Sequence, residues 1–346
     1  MLSRAFTKPR RSIKDGGDQQ SKSGGGSIHE YEDMVVGFSD DLPLISCITN
    51  HDPDHEVTGI QMMMTMKEVL RSSVGVMGES RLGMTEKVVL LKGHVFAVKR
   101  FRKVIVGRSD FGRKVKRLAL VSTKCEFLVP IIAYLYTKRI KFVLYHYYPM
   151  GSLAQLLEGA RKDGHTALNW NQRLKIIHQI AQAIRFIHLE STPPNDRSNM
   201  QMNIHGNIKS SNVMLNVDFS VRLSDYGFAQ LAENVEVSDK PPSDKPPPAV
   251  AENIFIYREE LCQKCDIYNF GIILFDILGG SNLKSGFRKC ILENKAEIRE
   301  GKIEFFEFAV EGKERKRALH ILDIALACTT RLAESRPPID KILLSF

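Results

Sequence analysis

The chain has 346 residues, with 49 Lys and Arg against 40 Asp and Glu, 43% apolar and 26% charged residues. This is an ordinary globular composition, long enough for one large two-lobed domain with a sizeable core. It excludes a membrane-spanning helix, because no apolar run approaches the roughly 18 residues that one needs.

The net charge of +9 is unevenly placed. Residues 1–28 hold six Lys/Arg and two acids, whereas residues 29–56 hold eight acids and no Lys/Arg. Basic clusters such as Lys99-Arg-Phe-Arg-Lys103 and Arg113-Lys-Val-Lys-Arg117 lack interleaved aromatics and any nucleic-acid motif. They read as solvated faces, and no nucleic-acid partner is expected. The N-terminus lacks the apolar core of a secretory signal, Leu2 excludes N-myristoylation, and Pro9 interrupts the basic stretch that an organellar presequence would need. Cys262 and Cys265 form a lone C-x-x-C with no second pair or histidines at zinc-ligand spacing, so the cysteines read as reduced cytosolic thiols.

In chain order, residues 1–60 read as a disordered tail. Its first part is Gly/Ser/Lys-rich and cannot bury enough apolar surface to offset its chain entropy. Its acidic part carries one apolar patch, Leu42-Pro-Leu-Ile-Ser-Cys-Ile48, able to dock elsewhere. Residues 62–148 are strand-rich. Val88-Val-Leu-Leu91 and Val95-Phe-Ala-Val98 around Lys92-Gly93 predict a hairpin. A helix follows over 110–122, capped by Asp110, with Phe111, Val115, Leu118 and Val121 or Ser122 on its apolar face. Residues 127–136 and 142–147 predict two strands around Thr137-Lys-Arg139. From 149 onward helices dominate: Ser152 caps Leu153–Leu157, residues 171–189 make a long amphipathic helix, and 266–278 and 317–329 read as buried helices. Strands first and helices later give an α+β chain with segregated lobes. The repeat Ser238-Asp-Lys-Pro-Pro242, Ser243-Asp-Lys-Pro-Pro247 predicts an extended exposed loop, because consecutive prolines forbid helix and sheet interiors.

Several motifs fall in a fixed order. Gly78-Glu-Ser-Arg-Leu-Gly83 precedes Phe96-Ala-Val-Lys99, then come His205-Gly-Asn-Ile-Lys-Ser-Ser-Asn212, Asp225-Tyr-Gly227, Asp266-Ile-Tyr-Asn-Phe-Gly271 and Arg336-Pro337. Their order and separations resemble the protein-kinase signature set. Together with Tyr147-Tyr-Pro-Met-Gly-Ser-Leu153 and Leu168-Asn-Trp-Asn-Gln-Arg-Leu174, they are similar to plant receptor-like kinases of the leucine-rich-repeat receptor type. The resemblance implies a bilobal protein-kinase fold over 61–346, with a small β-rich N-lobe (61–148) and a larger helical C-lobe (149–346).

What the resemblance implies for chemistry is mixed. ATP and Mg2+ are the expected ligands. Gly78, Ser80 and Gly83 would form the phosphate lid, and Lys99 would hold the α/β-phosphates. Ala97 would be the ceiling and Met214 the floor of the adenine slot, with Tyr145 as gatekeeper and His146-Tyr147 as hinge. Asn212 and Asp225 would hold metal, and Lys209 would stabilise the transferring group. Three positions depart from the pattern. Asn207 stands where the catalytic base should be, and its amide takes no proton near neutral pH. Ser80 replaces the middle glycine of the lid. Lys114 stands where a helix glutamate should pair with Lys99; like charges repel, so Lys114 is expected to swing outward, with Glu126 or Asp110 as substitute partners. The Val250-Ala-Glu252 anchor would pair with Arg336.

The function expected is therefore a pseudokinase acting in signalling as a scaffold or allosteric partner. The alternatives are a low-activity Ser/Thr kinase, supported by Lys99, Lys209, Asn212 and Asp225, and a nucleotide-binding switch without catalysis. Expected partners are signalling proteins, active receptor kinases among them. The expected location is cytoplasmic, with recruitment to the plasma membrane through a partner.

Overall fold

The computed structural model describes residues 41–47, 64–90, 93–191, 200–232, 261–279 and 287–346. The Ser-Asp-Lys-Pro-Pro repeat, the Val250-Ala-Glu252 anchor and most of the expected tail lie outside these residues.

The first lobe is a six-stranded antiparallel sheet. Its strands are β1 (Ile45–Ser46), β2 (Ser73–Ser80), β3 (Gly83–Val89), β4 (Val95–Phe101), β5 (Ile131–Tyr136) and β6 (Lys141–His146), in the spatial order β1-β5-β6-β4-β3-β2. The predicted hairpin is the β3–β4 pair, with Val89 opposite Val95 and Thr85 opposite Lys99. Ala97 of β4 lies opposite Tyr145 of β6, so the residues expected above the adenine slot and at its gate are neighbours across the sheet.

The apolar patch of the acidic segment does dock. Ile45 and Ser46 pair with Tyr134 and Ala133 of β5, and the Cys47 amide donates to the Ile132 carbonyl at 2.8 Å. Asp41 ties the same segment to helix α1 (Met66–Arg71), accepting from the Thr65 hydroxyl at 2.7 Å and the Lys67 amide at 2.9 Å.

Helix α2 (Arg108–Ser122) packs on the sheet beside β5. Phe111, Val115, Leu118, Val121 and Ser122 are all buried, as their spacing predicts. Its start differs from expectation. The helix begins two residues earlier, with Gly107 preceding it and no side-chain cap. Asp110 is thereby inside the first turn, where its carboxylate favours the helix dipole and reaches forward to Arg113 and Lys114.

The second lobe is helical. Helix α3 (Leu153–Lys162) starts at a capping box in which Ser152 and Gln155 satisfy each other's backbone N–H groups. Helix α4 (Trp170–Leu189) has the same device, made by Asn169 and Gln172. With α5 (Gln263–Gly279) and α8 (Gly312–Cys328) it forms the core of this lobe, and the short α6 (Phe287–Glu293), α7 (Lys295–Glu300) and α9 (Ile339–Leu343) lie around that core. A two-stranded hairpin, β7 (Val213–Leu215) with β8 (Val221–Leu223), carries the loops that face the first lobe. Arg336, expected to pair with Glu252, is 2% exposed. Its guanidinium donates to the carbonyls of Thr330 and Lys264, both at 3.0 Å, and lies over Tyr268 at 4.9 Å.

Candidate functional site

Between the lobes lies a cleft of about 230 Å3 whose lining includes Gly78, Ser80, Ala97, Lys99, Lys209, Asn212, Met214 and Asp225. Most of the residues singled out in the sequence are thus gathered in one place. The volume is below the roughly 300–1,000 Å3 of ordinary small-molecule sites.

Two local devices support the lower wall. The segment His205–Asn207 is held by Asp266, which is wholly buried at the start of α5. Its carboxylate accepts from the backbone N–H of His205 at 2.8 Å and of Gly206 at 3.0 Å, and stands 3.2 Å from His188 Nε2. Burial lowers the His205 imidazole below its ordinary pKa, against the opposing charges of Asp266 and Asp225. The turn at Asp225 has φ 63 and that at Gly227 φ 73; short polar residues and glycine tolerate this left-handed backbone best. Tyr226 packs its ring 6.0 Å from His205 and donates its hydroxyl proton to the Met202 carbonyl.

The centre of the cleft is an ion pair. Lys99 Nζ lies 3.0 Å from Asp225 Oδ2, with side chains only 4% and 2% exposed. Lys99 also donates to the Ser80 hydroxyl at 3.1 Å, and that hydroxyl donates to the Gly83 carbonyl at 3.0 Å. The serine that replaces a lid glycine therefore ties the lid to the lysine beneath it. On the other side of Asp225, Asn207 Nδ2 donates to the same Oδ2 at 3.3 Å. A carboxylate only accepts, so the amide nitrogen of Asn207 must face it. Asn212 in turn donates from Nδ2 to the Asn207 carbonyl at 2.8 Å, bracing the loop. Burial holds Lys209 below the usual lysine range; Asp225 opposes the fall, and Lys99 and Arg81 add to it.

Chemically, Asn207 acts here as a donor and offers no general base. Asp225 has one oxygen already shared by an ammonium and an amide. A Mg2+ ion held here by Asp225 and Asn212 would share the Asp225 carboxylate with the Lys99 ammonium 3.0 Å away. The adenine end keeps its expected parts: Ala97, Met214 and Tyr145 line the cleft. Burial raises the Tyr145 phenol well above its ordinary range, with Asp225 adding to the rise and a side-chain hydrogen bond to Thr85 opposing it.

Two expectations are corrected, those for Lys114 and for the partner of Lys99. Lys114 does not swing outward. It is 7% exposed and lies 3.3 Å from Asp110 one turn earlier in its own helix. The i,i+4 spacing supplies a nearby anion, so repulsion from Lys99 need not expel it. Lys99 in turn takes Asp225 as its partner, and neither Glu126 nor Asp110. Tyr147 is not part of the cleft lining, which takes His146 and Tyr148 instead. Its ring lies under Lys87, 4.5 Å from Nζ to the centroid. Gly83 also lies outside the lining, and its need for glycine is structural: at φ 148, a Cβ there would come 1.9 Å from the Arg100 carbonyl oxygen.

Gln155 is a contributor that sequence reasoning missed. Its Oε1 completes the α3 capping box, and its Nε2 donates at 3.1 Å to the Met77 carbonyl of β2, bridging the mouth of the cleft. The S-x-x-Q spacing signals the cap, but nothing in it signals the cross-lobe bond.

A family model described as protein tyrosine and serine/threonine kinase matches residues 75–346. An inactive leucine-rich repeat receptor-like serine/threonine-protein kinase of Arabidopsis thaliana is 31% identical over 296 residues, covering 81% of this chain and 41% of the relative. The chain thus spans about two-fifths of the length of the curated relatives it matches. Among solved structures, the pseudokinase domain of BIR2, an immune regulator of the RLK/Pelle family, is 21% identical with a TM-score of 0.65, covering 82% of this chain and 84% of that one. The kinase domain of maize SIRK1 (sucrose-induced receptor kinase 1) bound to AMP-PNP is 24% identical with a TM-score of 0.63, covering 82% and 95%. With its strand-rich first lobe, helical second lobe and cleft assembled from the signature positions, the chain belongs to the protein tyrosine and serine/threonine kinase family.

Proposed function

We propose that this chain is a receptor-like pseudokinase that acts in signalling through protein contacts, as a scaffold or allosteric partner, without phosphoryl transfer. One observation carries the reading: the carboxylate that should hold metal is neutralised by Lys99 at 3.0 Å and bonded by Asn207, the residue in the base position, at 3.3 Å. Phosphoryl transfer depends on positioning and on metal neutralisation of the phosphates, and both use these groups. Loss of the base alone slows a reaction by about 10²–10⁴. Competition of the Lys99 ammonium for the Asp225 carboxylate weakens a separate requirement, and the two together favour inactivity over slowness.

The partners proposed are signalling proteins, active receptor kinases among them, because the relatives carry receptor-kinase names. Among the described residues no helix is long and apolar enough to cross a membrane. The proposed location is the cytoplasmic face, reached through a partner. The proposed division is a tail over 1–60, whose residues 41–47 dock on the sheet, an N-lobe over 61–148 and a C-lobe over 149–346.

The test is phosphate incorporation from Mg-ATP by the full chain. Incorporation should be no higher than in a Lys209→Met variant; robust labelling that depends on Lys209 sinks the proposal. A second reading, a nucleotide-binding switch, is favoured by Ala97, Met214 and Tyr145 at the adenine end. It predicts a thermal shift with millimolar ATP that is the same in Mg2+ and in EDTA. A shift that appears only with Mg2+ contradicts this metal-independent reading.

A further inference from the structure

Two thiols outside the cleft are brought together at the start of α5. Cys262 immediately precedes the helix, and Cys265 is its third residue. Their sulfurs are 2.8 Å apart, and both residues are half-buried. The Cys265 backbone N–H donates to Cys262 Sγ at 3.2 Å, so the Cys262 sulfur does the work of a helix cap. No group of three or more metal-ligating side chains occurs among the described residues, which leaves the pair as a dithiol.

We propose that Cys262 and Cys265 form a redox site, a dithiol that closes reversibly to an intrachain disulfide. The sulfurs need to approach by less than 1 Å to reach the roughly 2.05 Å of an S–S bond. Being at the N-terminal end of a 17-residue helix, a thiolate there sits at the positive end of the helix dipole. The oxidant is a low-molecular-weight disulfide. One cysteine thiolate attacks it, forming a mixed disulfide and expelling one small thiolate. The second cysteine thiolate attacks the protein sulfur of that mixed disulfide and expels the other. The protein loses two electrons and two protons, and the oxidant becomes two thiols. The site lies on the turn that carries Asp266 and hence the His205–Gly206 backbone.

The full chain is equilibrated with glutathione and glutathione disulfide, quenched with acid, alkylated and mapped by mass spectrometry. The expected product is a Cys262–Cys265 peptide lighter by two hydrogens and reopened by dithiothreitol. Its ratio to the dithiol should follow [GSSG]/[GSH]² to the first power. In Cys262→Ser, where serine keeps the cap, Cys265 should accumulate as a glutathione mixed disulfide with no thiol to resolve it. The proposal is overturned if the wild-type pair stays alkylatable at every ratio while exposed Cys290 is oxidised. It is overturned equally if Cys262 or Cys265 pairs with another cysteine, or holds glutathione in the wild type as firmly as Cys265 does in Cys262→Ser.

Discussion

Removing both members of the Lys99–Asp225 pair should destabilise this protein by less than the sum of the two single removals. At an effective dielectric of about 20, opposite unit charges at their separation of 3.0 Å attract by about 5–6 kcal/mol. Part of that offsets the cost of taking both groups out of water. Truncating one partner of such a pair costs about 3–5 kcal/mol, because the survivor is left charged in a dry place. Lys99→Met strands Asp225 with the Asn207 amide as a neutral donor; Asp225→Asn strands Lys99 with the Ser80 hydroxyl. Asparagine suits position 225 because it tolerates the left-handed backbone at φ 63. The double variant leaves no charge behind, so its loss should be smaller than the sum of the single losses by about 2–4 kcal/mol. Urea unfolding followed through Trp170, the sole tryptophan, gives the three values. Single losses below about 1 kcal/mol, or losses that simply add, would refute the claim that this pair holds the cleft together.

Asn207→Asp should not restore kinase activity. It exchanges a donor 3.3 Å from Asp225 for a second carboxylate, and should cost about 2–5 kcal/mol of stability in the urea assay. His205 is held neutral by burial, with its pKa lowered. The stability it contributes is fully present above the ordinary histidine pKa of about 6.5 and is lost as pH falls toward the lowered folded value. Unfolding free energy should therefore decline below about pH 6.5, and His205→Phe should remove that part of the slope. Gly83→Ala would place a Cβ 1.9 Å from a carbonyl oxygen and should cost about 3 kcal/mol or more, whereas Gly78→Ala meets nothing within 4 Å and should stay within about 1 kcal/mol. Melting temperatures of the two variants decide it.

The sequence was most informative where chemistry is local. Lys99, Asn212, Met214 and Asp225 line the cleft because strand order and loop spacing carry them there. The apolar face of α2 followed from helical periodicity alone. What stayed hidden were pairings between distant segments. That Lys99 meets Asp225 and that Gln155 reaches Met77 depend on how the lobes close, while Ser80 joins Lys99 from within the first lobe's own sheet. Lys114 is a different kind of miss. Its partner Asp110 stands four residues upstream, at a spacing known to pair, but the same residue type also suits a helix cap. Tyr147 follows the end of β6 at His146, and its ring turns to Lys87, a contact that no local spacing signals.

The two residues of β1 matter beyond their size. They cover the outer flank of β5, whose N–H and C=O groups would otherwise be open to another chain. A recombinant fragment begun at residue 75, where the family match starts, would remove β1, Asp41 and α1 together. Such a fragment should self-associate through the bared strand, while one begun at residue 41 should remain monodisperse in light scattering. The useful boundary for expressing this domain therefore lies upstream of its recognisable sequence, in a stretch whose acidity makes it look dispensable.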